Sequence, residues 1–148
     1  MRLPGKRVLA VDDDAGSLAR LNDVLGAAGA EVLGLGVTDY ALPTMAFRMP
    51  DVVIVDAALP HHAVLGLVRR LRALPAEHGG KVPVLVLATR SLKDWAEPEW
   101  REAGVEHQLL KPFDPEELVR RVAELAGYQR GPDASSASAA SEGRGREK

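Results

Sequence analysis

The chain has 148 residues, of which 46% are hydrophobic and 27% are charged, with a formal net charge of −2 and no cysteine. This length suits one domain with a real core, and the composition excludes a disordered acidic polymer, a disulfide framework and a thiolate metal site. No apolar run reaches the ~20 residues of a membrane span, and neither a signal peptide nor a basic surface for nucleic acid is indicated. We therefore expect a cytoplasmic protein.

Short apolar runs alternate along the chain with segments of helical spacing. The strongest runs are rich in β-branched residues and are typical of strands covered on both faces: Val8–Val11, Val52–Val55 and Val84–Leu87. Weaker strand candidates are Glu31–Leu35 and Glu106–Leu110. This alternation predicts an α/β domain in which a doubly wound parallel sheet carries helices on both faces.

The first and last helices have the clearest sequence patterns. Apolar residues from Leu18 to Ala28 recur at helical spacing and end at Gly29. The last helix has Asp114 as its predicted N-cap and Pro115 at its first position, and its apolar stripe ends at Gly127. Both helices are therefore predicted from capping signals as well as from periodicity.

Prolines interrupt the two helices predicted between these. Pro43 falls within Thr38–Met49, and Pro98 falls within Ser91–Ala103. An interior proline removes a hydrogen bond and clashes with the preceding turn. We expect both helices to be short or broken.

The composition changes after Tyr128. Residues 129–148 contain no Val, Leu, Ile, Met or aromatic residue that could be buried. The sequence thus predicts one folded domain over residues 1–128 and a disordered tail over residues 129–148.

Polar residues follow four of the predicted strands. Asp12 and Asp13 follow the first strand, Asp56 the third, Thr89 the fourth and Lys111 the fifth. The carboxyl ends of parallel strands share one edge of a sheet, which is where ligands bind in doubly wound folds. Two carboxylates about 4 Å apart repel by roughly 4 kcal/mol at an effective dielectric near 20. A cation, a nearby lysine or solvation must offset that repulsion.

Four motifs, VLAVDDD, VVIVDAALP, VLVLATR and LLKPF, together resemble the receiver domain of two-component response regulators, including the single-domain chemotaxis type. Each motif alone is common, but their order and spacing are specific, and the resemblance covers about residues 6–127. It implies a five-stranded, flavodoxin-like sheet of order 2-1-3-4-5.

The resemblance also implies roles for the strand-end residues. Asp56 becomes the phosphoacceptor, a carboxylate nucleophile that forms an acyl phosphate. Mg²⁺ becomes the cofactor, and its implied ligands are Asp12, Asp13, Asp56 and the main-chain carbonyl of Ala58. The next acid, Asp14, is expected to be a solvated loop residue.

Thr89 and Lys111 are implied to contact the phosphoryl oxygens and to report the phosphorylated state. Pro112 favours an extended backbone at Lys111 and makes the bond between them a candidate for the cis form. Each residue alone has a simpler interpretation: Asp56 as a helix cap, Thr89 as a strand terminus and Lys111 as a solvated charge. The occurrence of all these residues together at successive strand ends favours the functional interpretation.

The sequence departs from the family pattern near the expected conformational switch. Gln108 stands where the fifth strand usually carries an aromatic residue, and Arg90 follows Thr89 where the family prefers a small residue. The usual glycine after the acceptor is displaced to Gly66, and the fourth helix contains Pro98. We expect the chemistry to be kept and the output surface to be remodelled.

Other residues that could carry chemistry have weaker support. His61 and His62 are adjacent, which is poor spacing for chelation, so a histidine metal site is not expected. Trp95 and Trp100 are candidate partner anchors, expected to be partly exposed. Basic residues on the last helix could also serve a partner surface, although a solvated face is the simpler interpretation: Arg120 and Arg121.

The sequence therefore predicts a single-domain response regulator that is not an enzyme beyond slow autodephosphorylation. Its expected partners are a histidine kinase or phosphotransfer protein and a downstream partner protein. Two alternatives stay open. One is a phosphorylation-independent, receiver-like adaptor. The other is a haloacid-dehalogenase-type phosphatase, in which Asp12 is the nucleophile and Asp14 the acid/base.

Overall fold

The computed structural model describes residues 2–89 and 97–130. Strands and helices alternate through this part of the chain. The strands are β1 (Arg7–Val11), β2 (Glu31–Leu35), β3 (Val52–Asp56), β4 (Val84–Ala88) and β5 (His107–Leu110). The helices are α1 (Ala15–Ala27), α2 (Ala41–Phe47), α3 (His61–Arg72), α4 (Glu97–Ala103) and α5 (Pro115–Arg130).

The strands form one parallel sheet in the order β2-β1-β3-β4-β5, which confirms the predicted fold. Val11, the last residue of β1, is in register with Val55 of β3. The residues that follow, Asp12 and Asp56, therefore end neighbouring strands at the same level. The chain order reverses between these strands, so both residues lie at the topological switch point.

Each face of the sheet covers its own hydrophobic core. Successive side chains of a strand point to opposite faces. Thus Val53 and Val55 pack in the core beneath α3 and α4, whereas Val52 and Ile54 pack in the core beneath α1 and α5. All residues of β3 and β4 are buried. These two central strands provide the rigid base from which the site residues extend.

The first and last helices differ from prediction at one end each. Helix α1 begins at Ala15, three residues before the apolar stripe, and ends before Gly29, whose φ of +102° is left-handed. Helix α5 begins at Pro115 as predicted but continues through Gly127 to Arg130. A glycine within a helix costs only about 1 kcal/mol, which weakens a helix without ending it. The predicted end at Gly127 was wrong for this reason.

Helix α2 is short, as predicted, and the described part of α4, which contains Pro98, spans seven residues. Pro43 lies in the first turn of α2, where backbone N–H groups have no partner within the helix. A 3₁₀ turn over Thr38–Tyr40 precedes α2. Residues 91–96 of the predicted fourth helix, with Trp95, lie outside the described residues, as do Arg90 and residues 131–148. The disordered tail was predicted over residues 129–148, and its first two residues belong to α5.

Candidate functional site

Three strand ends bring a carboxylate pair and a lysine together. Asp12 follows β1, Asp56 ends β3 and Lys111 follows β5. Asp12 and Asp56 are only 3% and 4% exposed, although both are acids. Lys111 donates a hydrogen bond from its Nζ to Asp56 Oδ2 and is partly exposed. The ammonium group of Lys111, which follows the last strand of the sheet, thus contacts the buried carboxylate of Asp56.

Main-chain groups hold the phosphoacceptor candidate in place. The N–H of Ala58 donates to Asp56 Oδ1 at 2.8 Å, so both carboxylate oxygens of Asp56 have a donor. The N–H of Lys111 donates to the carbonyl oxygen of Ala88 at 2.7 Å, which ties the lysine to the end of β4. The Lys111–Pro112 peptide bond is cis, the form for which the sequence made it a candidate. The lysine and Asp56 are therefore fixed by the backbone of three strands.

The two buried carboxylates differ in charge behaviour. Burial, opposed by the Asp14 N–H and reinforced by the neighbouring Asp56, raises the pKa of Asp12 to about 6. Burial also acts to raise the pKa of Asp56, but hydrogen bonds from Lys111 and Ala58 outweigh it, so that this pKa lies below its usual range. At neutral pH, Asp56 is ionised, as a carboxylate nucleophile must be.

One atom of this pair lacks a partner. Asp12 Oδ1 accepts a hydrogen bond from the Asp14 N–H at 2.9 Å, but the buried Oδ2 of Asp12 has no hydrogen-bond partner in the described structure. A buried, unpaired carboxylate oxygen beside a second carboxylate fits a hard divalent cation. Mg²⁺ commonly uses only one or two protein carboxylates and completes its shell with water and phosphate oxygens. Accordingly, residues 2–89 and 97–130 need contain no cluster of three acidic or histidine ligands, and none is present there.

A cavity of about 450 Å³ opens above the carboxylates. Its lining residues come from α1, from the ends of β1, β3 and β4 and from the loop that follows β5: Asp12, Ser17, Arg20, Leu21, Asp56, Leu87, Thr89, Lys111, Pro112 and Phe113. Thr89 is exposed at the rim, and Pro112 and Phe113 also line the cavity. The cavity can hold a phosphoryl group together with the group that carries it.

The three adjacent acids separate into different environments. Asp13 is exposed, whereas Asp12 is buried. Asp14 is the N-cap of α1, accepting from the Gly16 N–H at 3.3 Å and from the Ser17 hydroxyl at 2.9 Å. These bonds, the Ser17 bond first, lower the pKa of Asp14. Asp14 is thus exposed and precedes the helix, as predicted, and its side chain has the additional role of capping α1.

Sequence reasoning also missed two residues of the cavity, Arg20 and Phe113. Arg20 lies three residues after Ser17, which places both on one face of α1. The Arg20 guanidinium carbon lies 5.7 Å from the centroid of the Phe113 ring. The i, i+3 spacing after the acidic cluster was the available signal for Arg20.

The remaining candidates lie away from the carboxylates. Trp100 is 2% exposed and packs in the core beneath α3 and α4, so the expectation of partial exposure was wrong. The His61 Nε2 lies 3.1 Å from Glu99 Oε1, and its ring meets Trp100 edge-on. Gln108 is half-buried on β5.

Among the described residues, no helix is both long and apolar enough to cross a bilayer.

The basic residues of α5 lie on the opposite side of the sheet from α3 and α4. Arg120 is exposed and pairs with Glu124 at 3.3 Å, one helical turn away. Arg121 is half-buried. The Arg120 contact is typical of a solvated helix face.

The chain matches the response regulator receiver domain family over residues 8–123. It is 38% identical over 132 residues to the transcriptional regulatory protein PrrA of Mycobacterium tuberculosis, covering 89% of this chain and 54% of PrrA. The chain therefore spans about half the length of this relative.

Two solved structures show the same fold. A putative response regulator from Chloroflexus aurantiacus has a TM-score of 0.73 at 34% identity, covering 83% of this chain and 98% of that one. The receiver domain of the sensor histidine kinase PA1611 from Pseudomonas aeruginosa, solved with magnesium in its active-site cleft, has a TM-score of 0.71 at 26% identity, covering 83% and 98%. By sequence, fold and strand order, this chain belongs to the response regulator receiver domain family of two-component signalling.

Proposed function

We propose that Asp56 accepts a phosphoryl group from a phosphohistidine of a histidine kinase or phosphotransfer protein. The supporting observation is that Asp56 is buried and ionised beside Asp12, with Lys111 on one of its oxygens and the Ala58 N–H on the other. A carboxylate kept ionised in a nearly dry site is a competent nucleophile. A structural helix cap would not require a lysine from a distant strand.

In the proposed step, an oxygen of Asp56 attacks the phosphorus atom. The new O–P bond forms as the P–N bond to the donor histidine breaks, and the electron pair of that bond stays on the imidazole nitrogen, which takes up a proton. The product is an aspartyl phosphate. Lys111 offsets the charge of the phosphoryl oxygens, and the Thr89 hydroxyl at the rim donates to them, because phosphoryl transfer is catalysed mainly by positioning and charge.

Asp12 and Asp56 are the proposed carboxylate ligands of Mg²⁺, with the Ala58 carbonyl and Asp13 as further ligands. The unpaired Oδ2 of Asp12 supports this assignment, whereas the exposure of Asp13 makes it the weaker ligand of the four. When bound, Mg²⁺ supplies positive charge that neutralises the two carboxylates and the transferred phosphoryl group.

The proposed output is a change of protein contacts. Phosphorylation turns one oxygen of Asp56 into the bridging oxygen of an acyl phosphate and removes the carboxylate charge, so the ion pair with Lys111 must be rearranged. That rearrangement shifts the equilibrium between two conformations, and a downstream partner protein recognises the favoured one. The half-buried Gln108, which replaces an aromatic residue, supports a remodelled surface around α4 and β5.

The test is intact-mass measurement after incubation of the chain with Mg²⁺ and a small phosphodonor. We expect the wild type to gain one alkali-labile phosphoryl group and Asp56→Asn to gain none. Asp23→Asn, an exposed acid on α1, is the matched control and should be labelled like the wild type. An unlabelled wild type would instead favour the phosphorylation-independent adaptor.

The phosphatase alternative has less support from the structure. Its acid/base candidate, Asp14, is exposed and bonded to Ser17 and Gly16 as a helix cap. Rapid turnover of a phosphate ester that is lost in Asp12→Asn but kept in Asp56→Asn would revive this alternative.

A further inference from the structure

We propose that Arg20 positions the phosphodonor at this pocket and makes phosphorylation selective for donors of high negative charge. This inference rests on the proposed phosphoacceptor role of Asp56. Arg20 lies on α1, the helix that follows the acidic loop, and it lines the same 450 Å³ cavity as Asp56 and Lys111. It is exposed, so it meets an incoming donor before the buried carboxylates do.

The Arg20 side chain is held over the cavity by an aromatic ring. Its guanidinium carbon lies 5.7 Å from the centroid of the Phe113 ring, within the range of a cation–π contact. Phe113 is itself fixed, because it packs against the core beneath α1 and α5. The ring thus restricts the arginine to the mouth of the pocket without occupying its N–H donors.

Those donors are available for an anion. Within residues 2–89 and 97–130, the Arg20 guanidinium makes no ion pair, in contrast to Arg48, which is paired with Glu31, and Arg120, which is paired with Glu124. A guanidinium carries five N–H donors in a planar fork that matches phosphate or carboxylate oxygens. Arg20 is therefore arranged to bind a ligand group.

The charge balance of the pocket gives this arginine a role. Asp12 and Asp56 contribute two carboxylates, and Lys111 contributes one ammonium group. Bound Mg²⁺ offsets the two carboxylates and Lys111 is hydrogen-bonded to Asp56, so a guanidinium at the mouth adds an attraction for a dianionic donor that these groups do not supply there. Arg20 supplies such a charge on the approach side, where the donor enters, while Lys111 supplies its charge at the acceptor.

The cavity also has room for more than the transferred group. Its walls beyond the carboxylates are largely apolar and include Leu21, Leu87 and Pro112. We assign this part of the cavity to the leaving group, with Arg20 at its mouth. With acetyl phosphate, Asp56 forms the new O–P bond, the P–O bond to the acetyl group breaks, and its electron pair departs with acetate. A negatively charged leaving group of this kind gains most from a nearby guanidinium.

The test compares two donors on the full chain with saturating Mg²⁺. Acetyl phosphate is a dianion near neutral pH, whereas phosphoramidate is a monoanion that releases neutral ammonia. The initial rate of adduct formation is measured by intact mass against donor concentration. For Arg20→Ala, we expect about a tenfold lower apparent second-order rate constant with acetyl phosphate, the size of one lost charge-assisted contact, and less than about a threefold change with phosphoramidate.

Three further variants separate positioning from a structural effect. Arg20→Lys keeps the charge and should recover part of the acetyl phosphate rate, while Phe113→Leu should lower that rate by removing the support of Arg20. Arg69→Ala removes an exposed arginine on α3, away from the cavity, and should match the wild type with both donors. The defect of Arg20→Ala should shrink as salt is raised, because an exposed charge is screened.

The outcomes distinguish this inference from the proposed function. If Arg20→Ala is labelled as fast as the wild type with both donors, the inference on Arg20 is overturned and Asp56 remains the acceptor. Equal losses with both donors that Arg20→Lys does not relieve would also overturn it, since they indicate a structural role. If the wild type is labelled by neither donor, the proposed function fails and this inference fails with it.

Discussion

Two regions of the molecule hold charged side chains that are withdrawn from solvent, half-buried in one and almost fully buried in the other, and the regions differ in the hydrogen bonds that they offer. At the corner where α3 ends and the chain leads into β4, the Arg72 guanidinium donates to the carbonyl oxygens of Gly80 at 3.1 Å and Val82 at 2.8 Å. At the carboxyl edge of the sheet, Asp12 is almost fully buried, yet one of its oxygens has no partner in the described structure. The charged group at the corner is hydrogen-bonded by main-chain carbonyls, whereas a carboxylate oxygen in the pocket has no partner among the described residues.

The pKa shifts express the same contrast. Burial lowers the pKa of Arg72, partly offset by Glu106, but the group remains charged because an arginine pKa lies so far above neutrality. Burial raises the pKa of Asp12 to about 6, close to neutrality. Buried polar groups in folded proteins are normally hydrogen-bonded, and a perturbed exception in a cleft is a candidate ligand site. Substitutions at the corner should therefore reduce stability, whereas substitutions at the pocket should reduce phosphorylation.

The largest expected loss of stability is at Trp100 of α4, which packs in the core beneath α3 and α4 with its ring against His61 at the start of α3. Trp100→Ala removes a side chain that is 2% exposed and should lower the free energy of unfolding by about 3–5 kcal/mol, as measured by urea denaturation. Trp100→Phe is the matched control and should lose less. At urea concentrations below the denaturation midpoint, the folded fraction of Trp100→Ala should still accept a phosphoryl group. A loss of less than about 1 kcal/mol in the free energy of unfolding would contradict the described packing.

Substitutions of Arg72 test how much its hydrogen bonds at the corner contribute to stability. Arg72→Met keeps the aliphatic stem but leaves the carbonyls of Gly80 and Val82 without their donor, so we expect a loss of roughly 2–3 kcal/mol. Arg72→Lys should recover only part of this, because an ammonium group cannot reproduce the planar fork. Urea unfolding at constant pH measures both variants. Equal stability of Arg72→Met and the wild type would show that these bonds contribute nothing.

In contrast to the substitutions at the corner, substitution of Asp12 should raise the free energy of unfolding at neutral pH. Between its ordinary pKa of 3.8 and its folded value of about 6, the folded chain binds a proton more readily than the unfolded chain does. The contribution of Asp12 to stability therefore rises as pH falls from 7.5 through 6 toward 4. Without Mg²⁺, Asp12→Asn should be more stable than the wild type at pH 7.5, by up to about 3 kcal/mol, and the gain should fall toward pH 5.

The control for this prediction is the difference between the two proteins at each pH. Burial lowers the pKa of His107, which acts in the opposite direction because the unfolded chain gains a proton first as pH falls below 6.5. His107 is present in both proteins, so its effect cancels in the difference. A gain in stability on Asp12→Asn that is the same at pH 5 and pH 7.5 would contradict the raised pKa.

The smallest expected effect separates the adjacent acids of the loop. Asp14→Ala removes the N-cap of α1 and should cost about 1 kcal/mol in urea denaturation. Asp13→Ala, at an exposed neighbour, is the matched control and should stay within about 0.5 kcal/mol when Mg²⁺ is absent. If the two variants lost equal stability, the capping role of Asp14 would be wrong.

The sequence predicted those parts of the fold that depend on patterns along the chain. The apolar runs of β1, β3 and β4 and the start of α5 at Pro115 follow from burial and capping. The strand order came from the resemblance to the receiver family, since a pattern of alternating elements does not specify which strands are neighbours. The end of α5 was missed because Gly127 weakens a helix without stopping it.

The candidate site was predictable to the level of strand ends and no further. Alternating strands and helices indicate that Asp12, Asp56 and Lys111 share one edge, but not which carboxylate is hydrogen-bonded by the lysine. The capping role of Asp14 and the position of Arg20 over Phe113 depend on side-chain directions. Those directions are set by packing between segments that are distant in sequence.

The central claim is that three strand ends form one pocket that binds Mg²⁺ and a phosphoryl group. Amide hydrogen exchange of the wild type, with and without Mg²⁺ and beryllofluoride as a phosphoryl mimic, tests it most directly, with Asp56→Asn as the control. The account predicts increased protection in the peptides that contain Asp12, Asp56 to Ala58, and Lys111 together, and no such response in Asp56→Asn. Protection confined to one of these peptides, or an equal response in the variant, would contradict it.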